Sequence, residues 1–259
     1  MRVLIIFNLS ILLTVLITVV NGNSPNKIFG GNFVDINQYA FQVSVQIRNY
    51  HICGGAIISI YHIMTAASCA LHSKNVFYGN IKIISGTTDL EALTSYSKIH
   101  QVAYIIFHSQ YDPRNNWVND IAIFKVDKPM DFHYLCRPIA VSTEPPKDNK
   151  FTAIGWGIDP VTSIMSRLLQ SLKVRSLHRP SCRQIYTHPA YHFLQSSQHC
   201  LLPLLPTSRL TMGNSGSPVV VAKRIVGIIS SLQVTAELQP AIYTRVHLYS
   251  RWIEDTVHL

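Results

Sequence analysis

Ile52-Cys53-Gly54-Gly55-Ala56-Ile57-Ile58-Ser59 and His62-Ile63-Met64-Thr65-Ala66-Ala67 are two short apolar runs, and the second leads straight into Ser68-Cys69. Runs of this length and composition read as strands. The pattern repeats at Phe41–Ile47, Ile81–Gly86, Gln101–Phe107, Ile121–Val126, Phe151–Gly155, Ser171–Val174, Val219–Val221, Ile225–Ser230 and Ala241–Val246. These segments are rich in Val, Ile, Tyr and Phe and are separated by Gly, Pro, Asn or Asp. Many short strands with turn residues between them predict an all-β sandwich or barrel. A single helix is expected, at Tyr249–Val257, where Trp252, Ile253 and Val257 form an apolar face. Everything before it reads as strands and loops.

Outward from these runs, the N-terminus carries Arg2 and then a mainly apolar stretch from Val3 to Val20, ending in small or polar residues near Gly22. This is the form of a cleaved signal peptide, residues 1–22, and it predicts export. The rival reading is an uncleaved membrane anchor, because the stretch approaches spanning length. Asn8, Ser10, Thr14 and Thr18 interrupt it and weigh against that. About 235 residues remain, enough for a sizeable core in one large domain or two smaller ones. No linker-like Pro, Gly or Ser run and no short-period repeat divides them.

Five cysteines follow the signal, Cys53, Cys69, Cys136, Cys182 and Cys200. Export makes disulfides the expectation for most, with one left over. None has zinc-knuckle spacing, so no metal is implied. Asn-x-Ser/Thr occurs only at Asn8, within the signal, so no N-linked glycan is expected. The formal charge is +9, and removal of Arg2 takes it to +8. No Asp or Glu occurs between Pro160 and Ala236, a stretch holding Arg167, Lys173, Arg175, Arg179, Arg183, Arg209, Lys223 and Arg224. A positive field over this half would attract anionic partners; the bland alternative is a basic surface that only confers solubility. No nucleic-acid module with interleaved aromatics is present.

Three marks occur in order: Thr65-Ala66-Ala67-Ser68-Cys69, Asn119-Asp120-Ile121-Ala122 and Gly213-Asn214-Ser215-Gly216-Ser217-Pro218. The sequence resembles the trypsin/chymotrypsin serine protease family, whose motifs are Thr-Ala-Ala-His-Cys, Asp-Ile-Ala-Leu and Gly-Asp-Ser-Gly-Gly-Pro. Ile28-Phe29-Gly30-Gly31, Cys53-Gly54-Gly55, Gly155-Trp156-Gly157 and Tyr243-Thr244-Arg245-Val246 extend the resemblance from Ile28 to the C-terminus. It implies two packed six-stranded antiparallel β-barrels with a C-terminal helix. On that frame residues 23–27 are a short propeptide. The N-terminal barrel spans about 28–133, the C-terminal barrel about 134–248 and the helix about 249–258. The resemblance also implies disulfides Cys53–Cys69 and Cys182–Cys200, worth about 3 kcal/mol each in the loop-entropy model. Cys136 then has no evident partner and is either a small buried side chain or an intermolecular half-cystine.

The family's chemistry needs an imidazole to deprotonate the serine and a buried carboxylate to orient that imidazole. Ser215 matches the nucleophile and Asp120 the carboxylate, but Ser68 stands at the base position. A hydroxyl cannot take a proton near neutral pH and pass it to the leaving amine. In a dismantled triad of this kind, loss of the imidazole costs on the order of a millionfold in turnover. His51, His62 and His72 are the nearby candidates for substitution, and read more simply as surface or hydrogen-bonded histidines. Asn214 replaces the Asp that would pair with the ammonium freed by cleavage at Lys27–Ile28, so no countercharge is available. The oxyanion donors would be the N–H groups of Gly213 and Ser215, and misplacing one costs about a hundredfold. Arg209 stands at the pocket base, where it repels basic substrates or turns to solvent. Ser230-Ser231-Leu232 replaces Ser-Trp-Gly, and Leu232 narrows the cleft. Thr211 replaces the family cysteine four residues before Ser215, which removes the bridge bracing the pocket.

A scaffold retained with its chemistry removed implies a secreted, proteolytically inactive homologue that acts by binding protein, without cofactor. The sequence is most similar to inactivated protease paralogues of parasitic mites, related to a group of mite allergens. That resemblance implies work at the host surface, including inhibition of complement. The alternatives are a weak residual serine hydrolase and a decoy that holds substrates or inhibitors without turnover. Neither nucleic acid nor membrane is expected as a partner.

Overall fold

The computed structural model describes residues 31–73, 76–159, 162–185, 194–230 and 240–258. Six strands form the first barrel: β1 (Gln42–Ile47), β2 (Tyr50–Ile57), β3 (His62–Thr65), β4 (Ile81–Ser85), β5 (Lys98–Phe107) and β6 (Ala122–Val126). They close in the order β1-β2-β3-β6-β5-β4, all antiparallel. Closure leaves no unpaired edge. Val43, Val45, Ile63, Ile83, Ile123 and Phe124 are wholly buried in its core.

The second barrel comprises β7 (Lys150–Gly155), β8 (Gln170–Ser176), β9 (Gln198–Pro203), β10 (Pro218–Val221), β11 (Arg224–Ile229) and β12 (Ala241–Arg245). Its order is β8-β7-β10-β11-β12-β9, with β9 returning to β8. Phe151, Leu172, Val174, Leu201, Val219 and Ile229 form its core. Asn32–Phe33 adds to β8, and Ala140–Val141 runs parallel to β11, so the chain on either side of the first barrel is stitched to the second. The helix α2 (Ser250–Val257) closes the chain, burying Ile253 and Thr256. The all-β, two-barrel architecture with a C-terminal helix is the one that the sequence predicts.

Two elements differ from expectation. A second helix, α1 (Arg179–Ile185), lies where only strands and loops are expected. Its one buried residue is Cys182, so it carries no apolar periodicity to read; the disulfide to Cys200 on β9 holds it in place. Strand β9 is the other. Its Gln198 is buried and donates to Asn116 O, and His199 Nδ1 is hydrogen-bonded to Ser176 Oγ at 2.7 Å. Satisfied polar side chains on both of its faces conceal a strand that its ladder to β8 and β12 defines.

The barrels meet along β2 and the turn that follows Asn214. Gly54 N–H donates to Ser215 O at 2.8 Å, and Thr65 Oγ1 donates to Gly54 O at 2.7 Å. A Cβ on Gly54 would stand 2.0 Å from Ser217 Oγ. One on Gly216, at φ +75, would stand 2.2 Å from Thr65 Oγ1. Arg167 adds a clamp at the surface, bonding Asp89 and Glu91. Cys53 is bonded to Cys69, and Cys136 is a free thiol only 1% exposed, which leaves no accessible sulfur for an intermolecular bridge.

Gly54→Ala is therefore expected to lower unfolding stability by about 2 kcal/mol, from overpacking where the barrels touch. Gly79→Ala, whose Cβ meets nothing within 4 Å, should change it by less than about 0.5 kcal/mol. Urea denaturation of both variants checks this pair.

Candidate functional site

Asp120 enters β6 from a tight turn: Asn119 has φ +57 and Ile121 N–H donates to Asn119 O at 2.8 Å. Its own carbonyl accepts Thr244 Oγ1 from β12 at 3.0 Å, which fixes it between the barrels. Ser68 lies on the single 3-10 turn Ala67–Ala70 that leaves β3 and is anchored by the disulfide at Cys69. The two meet directly. Ser68 N–H donates to Asp120 Oδ1 at 2.8 Å, and Ser68 Oγ donates to Oδ2 at 3.0 Å. Ser230 Oγ donates to the same Oδ2 at 2.6 Å, and the backbone of Ala67 adds a fourth donor.

Asp120 has no exposed surface. Burial pushes its carboxyl above the ordinary carboxylate range, while the hydrogen bonds from Ser230, Ser68 and Ala67 act against that shift. The acceptor capacity of the carboxyl is taken up by hydroxyl and amide donors, none of which accepts a proton near neutral pH. Among the described residues, the donors on Asp120 are hydroxyls and backbone amides, and none is an imidazole.

Ser215 sits in the turn between Gly213 (φ +93) and Gly216 (φ +75), partly exposed. Asn214 is buried beneath it, 1% exposed. Its Oδ1 accepts Thr211 N–H at 2.9 Å, and its backbone N–H donates to Thr211 O at 3.0 Å. The amide thus closes a local turn with Thr211, the residue standing where a cysteine is expected. Ser217 N–H donates to Asn214 O, and Gly216 N–H donates to Ile229 O at 2.7 Å, so the turn is held on β11 from within.

His51 is bound to the back of this turn. A carbonyl only accepts, so Nε2–H must donate to Gly213 O, 3.0 Å away, and Nδ1 must accept from Ser44 Oγ at 2.8 Å. Trp156 packs edge-on against the ring at 5.6 Å. Enclosure lowers the imidazole pKa to about 4, against the raising effect of the Gly213 carbonyl. His62 shares Nδ1 with Ser59 Oγ at 2.8 Å on the far end of β3, and its pKa is also lowered by burial and then by Lys125. The side chain of His72 lies outside the described residues. Among the described residues, no histidine nitrogen is hydrogen-bonded to Ser68, Asp120 or Ser215.

Arg209 is partly buried, with Nε shielded from solvent. Ser231, Leu232, Lys27 and Ile28 lie outside the described residues. The structure brings Ser68 and Asp120 together and bonds the Ser215 carbonyl to Gly54 N–H. Two features escape sequence reasoning: Ser230 as a second hydroxyl on Asp120, and His51 as the tether of Gly213. The first is hidden within Ser230-Ser231-Leu232, which reads only as pocket wall; the second needs a contact across 162 residues. Among the described residues no cluster of side chains could hold a metal ion.

The family model named Trypsin matches residues 28–253. The chain belongs to the trypsin family. Its trypsin-family relatives include "Trypsin" of Phaedon cochleariae, 29% identical over 242 residues and covering 91% of both chains. "Serine protease 1" of Homo sapiens is 28% identical over 238 residues, again 91% of both, and "Kallikrein 1-related peptidase b21" of Mus musculus 28% over 240, 90% of both. Two closed barrels and a C-terminal helix are the chymotrypsin-like fold of this family, and the two disulfides lie within it.

The depressed pKa of His51 has a signed consequence. A base whose folded pKa lies below its unfolded value contributes stability that is complete above about pH 6.5 and is lost as pH falls towards about 4. That difference corresponds to about 3 kcal/mol. His51→Gln should flatten this part of the stability profile. His199, also held at about 4, titrates in the same window, so the readout is the difference between variant and parent in urea melts at pH 7, 5.5 and 4.5. Parallel profiles would contradict the assignment.

Proposed function

We propose that this chain is a secreted, non-proteolytic binding protein built on the trypsin scaffold. The observation that carries the reading is the Ser68–Asp120 hydrogen bond of 3.0 Å. A carboxyl whose use in catalysis is to orient an imidazole is here bonded to a hydroxyl, and Ser215 is left without a base. The Asn214–Thr211 turn points the same way, because an amide paired within its own loop offers no charge to an N-terminal ammonium. Arg209 at the expected pocket base argues against basic substrates.

A scaffold kept without its proton-transfer group retains binding surfaces alone, and the resemblance to the inactivated mite paralogues suggests interference with host defence, complement included. The basic C-terminal barrel and its loops supply the partner surface, and the former cleft is a bystander. Charge reversal at Arg175, Arg179 and Arg183 is then expected to weaken partner binding, in a manner that salt reproduces. A second reading, slow hydrolysis of activated esters, draws on Ser215 being partly exposed.

Hydrolysis of peptide and ester substrates by the chain beginning at Ile28, beside its Ser215→Ala variant at equal concentration, decides between them. Rates equal within about twofold are expected, against the roughly millionfold deficit of a triad lacking its base. A signal abolished by Ser215→Ala would overturn the non-proteolytic reading and establish the hydrolase.

A further inference from the structure

The second barrel has an open mouth. A cleft of about 640 Å³ lies there, walled by the loop Pro145–Asn149, by Leu177, His178 and Arg179, and by Arg245 at the end of β12. Its floor is polar: Ser176 Oγ bonds His199 Nδ1 at 2.7 Å and Tyr243 OH at 3.2 Å. Lys147, Arg179 and Arg245 line it, and Asp148 is the one carboxylate among the lining residues. Among the described residues, none of these three cations is paired with a carboxylate. The Arg245 guanidinium donates to Ser196 O and lies against His247 Nε2.

The rim continues the charge. Lys150 on β7 and Arg175 on β8 are direct cross-strand partners, both exposed. Like charges placed opposite one another destabilise a sheet, so the fold carries here a repulsion that a bound anion would relieve. Lys173, two residues before Arg175 on the same face, extends the row. The field is felt inside the mouth: after burial, the influences that lower the His199 pKa are Arg245, Arg179 and His178.

Resting on the non-proteolytic binding role proposed above, we propose that this mouth binds a sulfated oligosaccharide, one sulfate entering the cleft lined by Lys147, Arg179 and Arg245 while others follow the Lys150–Arg175 rim. Guanidinium groups suit a multi-oxygen anion that keeps its charge at all working pH values. The aromatic rings here, Phe151 and Tyr243, are each 3% exposed and offer no face for stacking a nucleic-acid base. No large apolar side chain among the lining residues is exposed as an anchor for an acidic protein. A concave mouth does not lie flat on a bilayer.

Calorimetric titration of the full secreted chain with a heparin-derived octasaccharide tests the site. Saturable binding that weakens with salt is expected. Lys147→Glu with Arg179→Glu should weaken it by at least about tenfold, since two ionic contacts become repulsive. Lys128→Glu with Arg137→Glu alters net charge equally, at exposed residues outside the cleft, and should change it by less than about twofold. The N- and O-desulfated octasaccharide, polyglutamate and phosphatidylserine vesicles should each bind at least about tenfold more weakly. Equal losses in the two double variants, or equal binding of any of these three probes, would overturn the proposal. Titration and hydrolysis are read separately: a chain that cleaves substrate yet binds the octasaccharide at this mouth keeps the site, and a silent chain that ignores the octasaccharide loses it.

Discussion

A carboxyl group with no exposed surface must be given donors or it destabilises the fold around it, and Asp120 meets that demand with Ser68, Ser230 and the backbone of Ala67. The arrangement ties three parts of the chain to one point: the turn after β3, the entry to β6 and the end of β11. Thr244 on β12 holds the Asp120 carbonyl in the same place. A residue that family members use to orient an imidazole thus persists as a structural node between the barrels. With a hydroxyl at the position of the family's imidazole, the node stays bonded.

The turn that carries Ser215 is likewise held by internal bonds. The turn Thr211–Asn214 is closed by amide and backbone bonds, and Gly213 is held from behind by a neutral His51 whose other nitrogen is taken by Ser44. The loop is ordered by contacts within the described chain. Its close seat against Gly54 and Thr65 leaves no room for a side chain at Gly54 or Gly216, whatever chemistry the turn performs.

Much of this was legible in the sequence, because strands such as Gln42–Ile47 and Ala122–Val126 bury β-branched side chains in runs of matching length. Ser68, Asp120 and Ser215 could be found because local motifs carry them. What was hidden depends on distance or on satisfied polarity. Strand β9 carries Gln198, buried on Asn116 O, and His199, bonded to Ser176 on the opposite face, so its pattern is not apolar. Helix α1 buries Cys182 alone. Ser230 acquires its role only when β11 is brought to Asp120, 110 residues away.

The absence of a base for Ser215 is the central claim, and its most direct measurement is the rate at which an active-site-directed phosphonate modifies that hydroxyl, followed by intact-mass spectrometry. An unassisted serine reacts no faster than other exposed hydroxyls, so the account predicts no stoichiometric adduct and no difference between the chain and Ser215→Ala. Rapid modification of one residue, lost in Ser215→Ala, would show that another group activates the serine and would contradict the account.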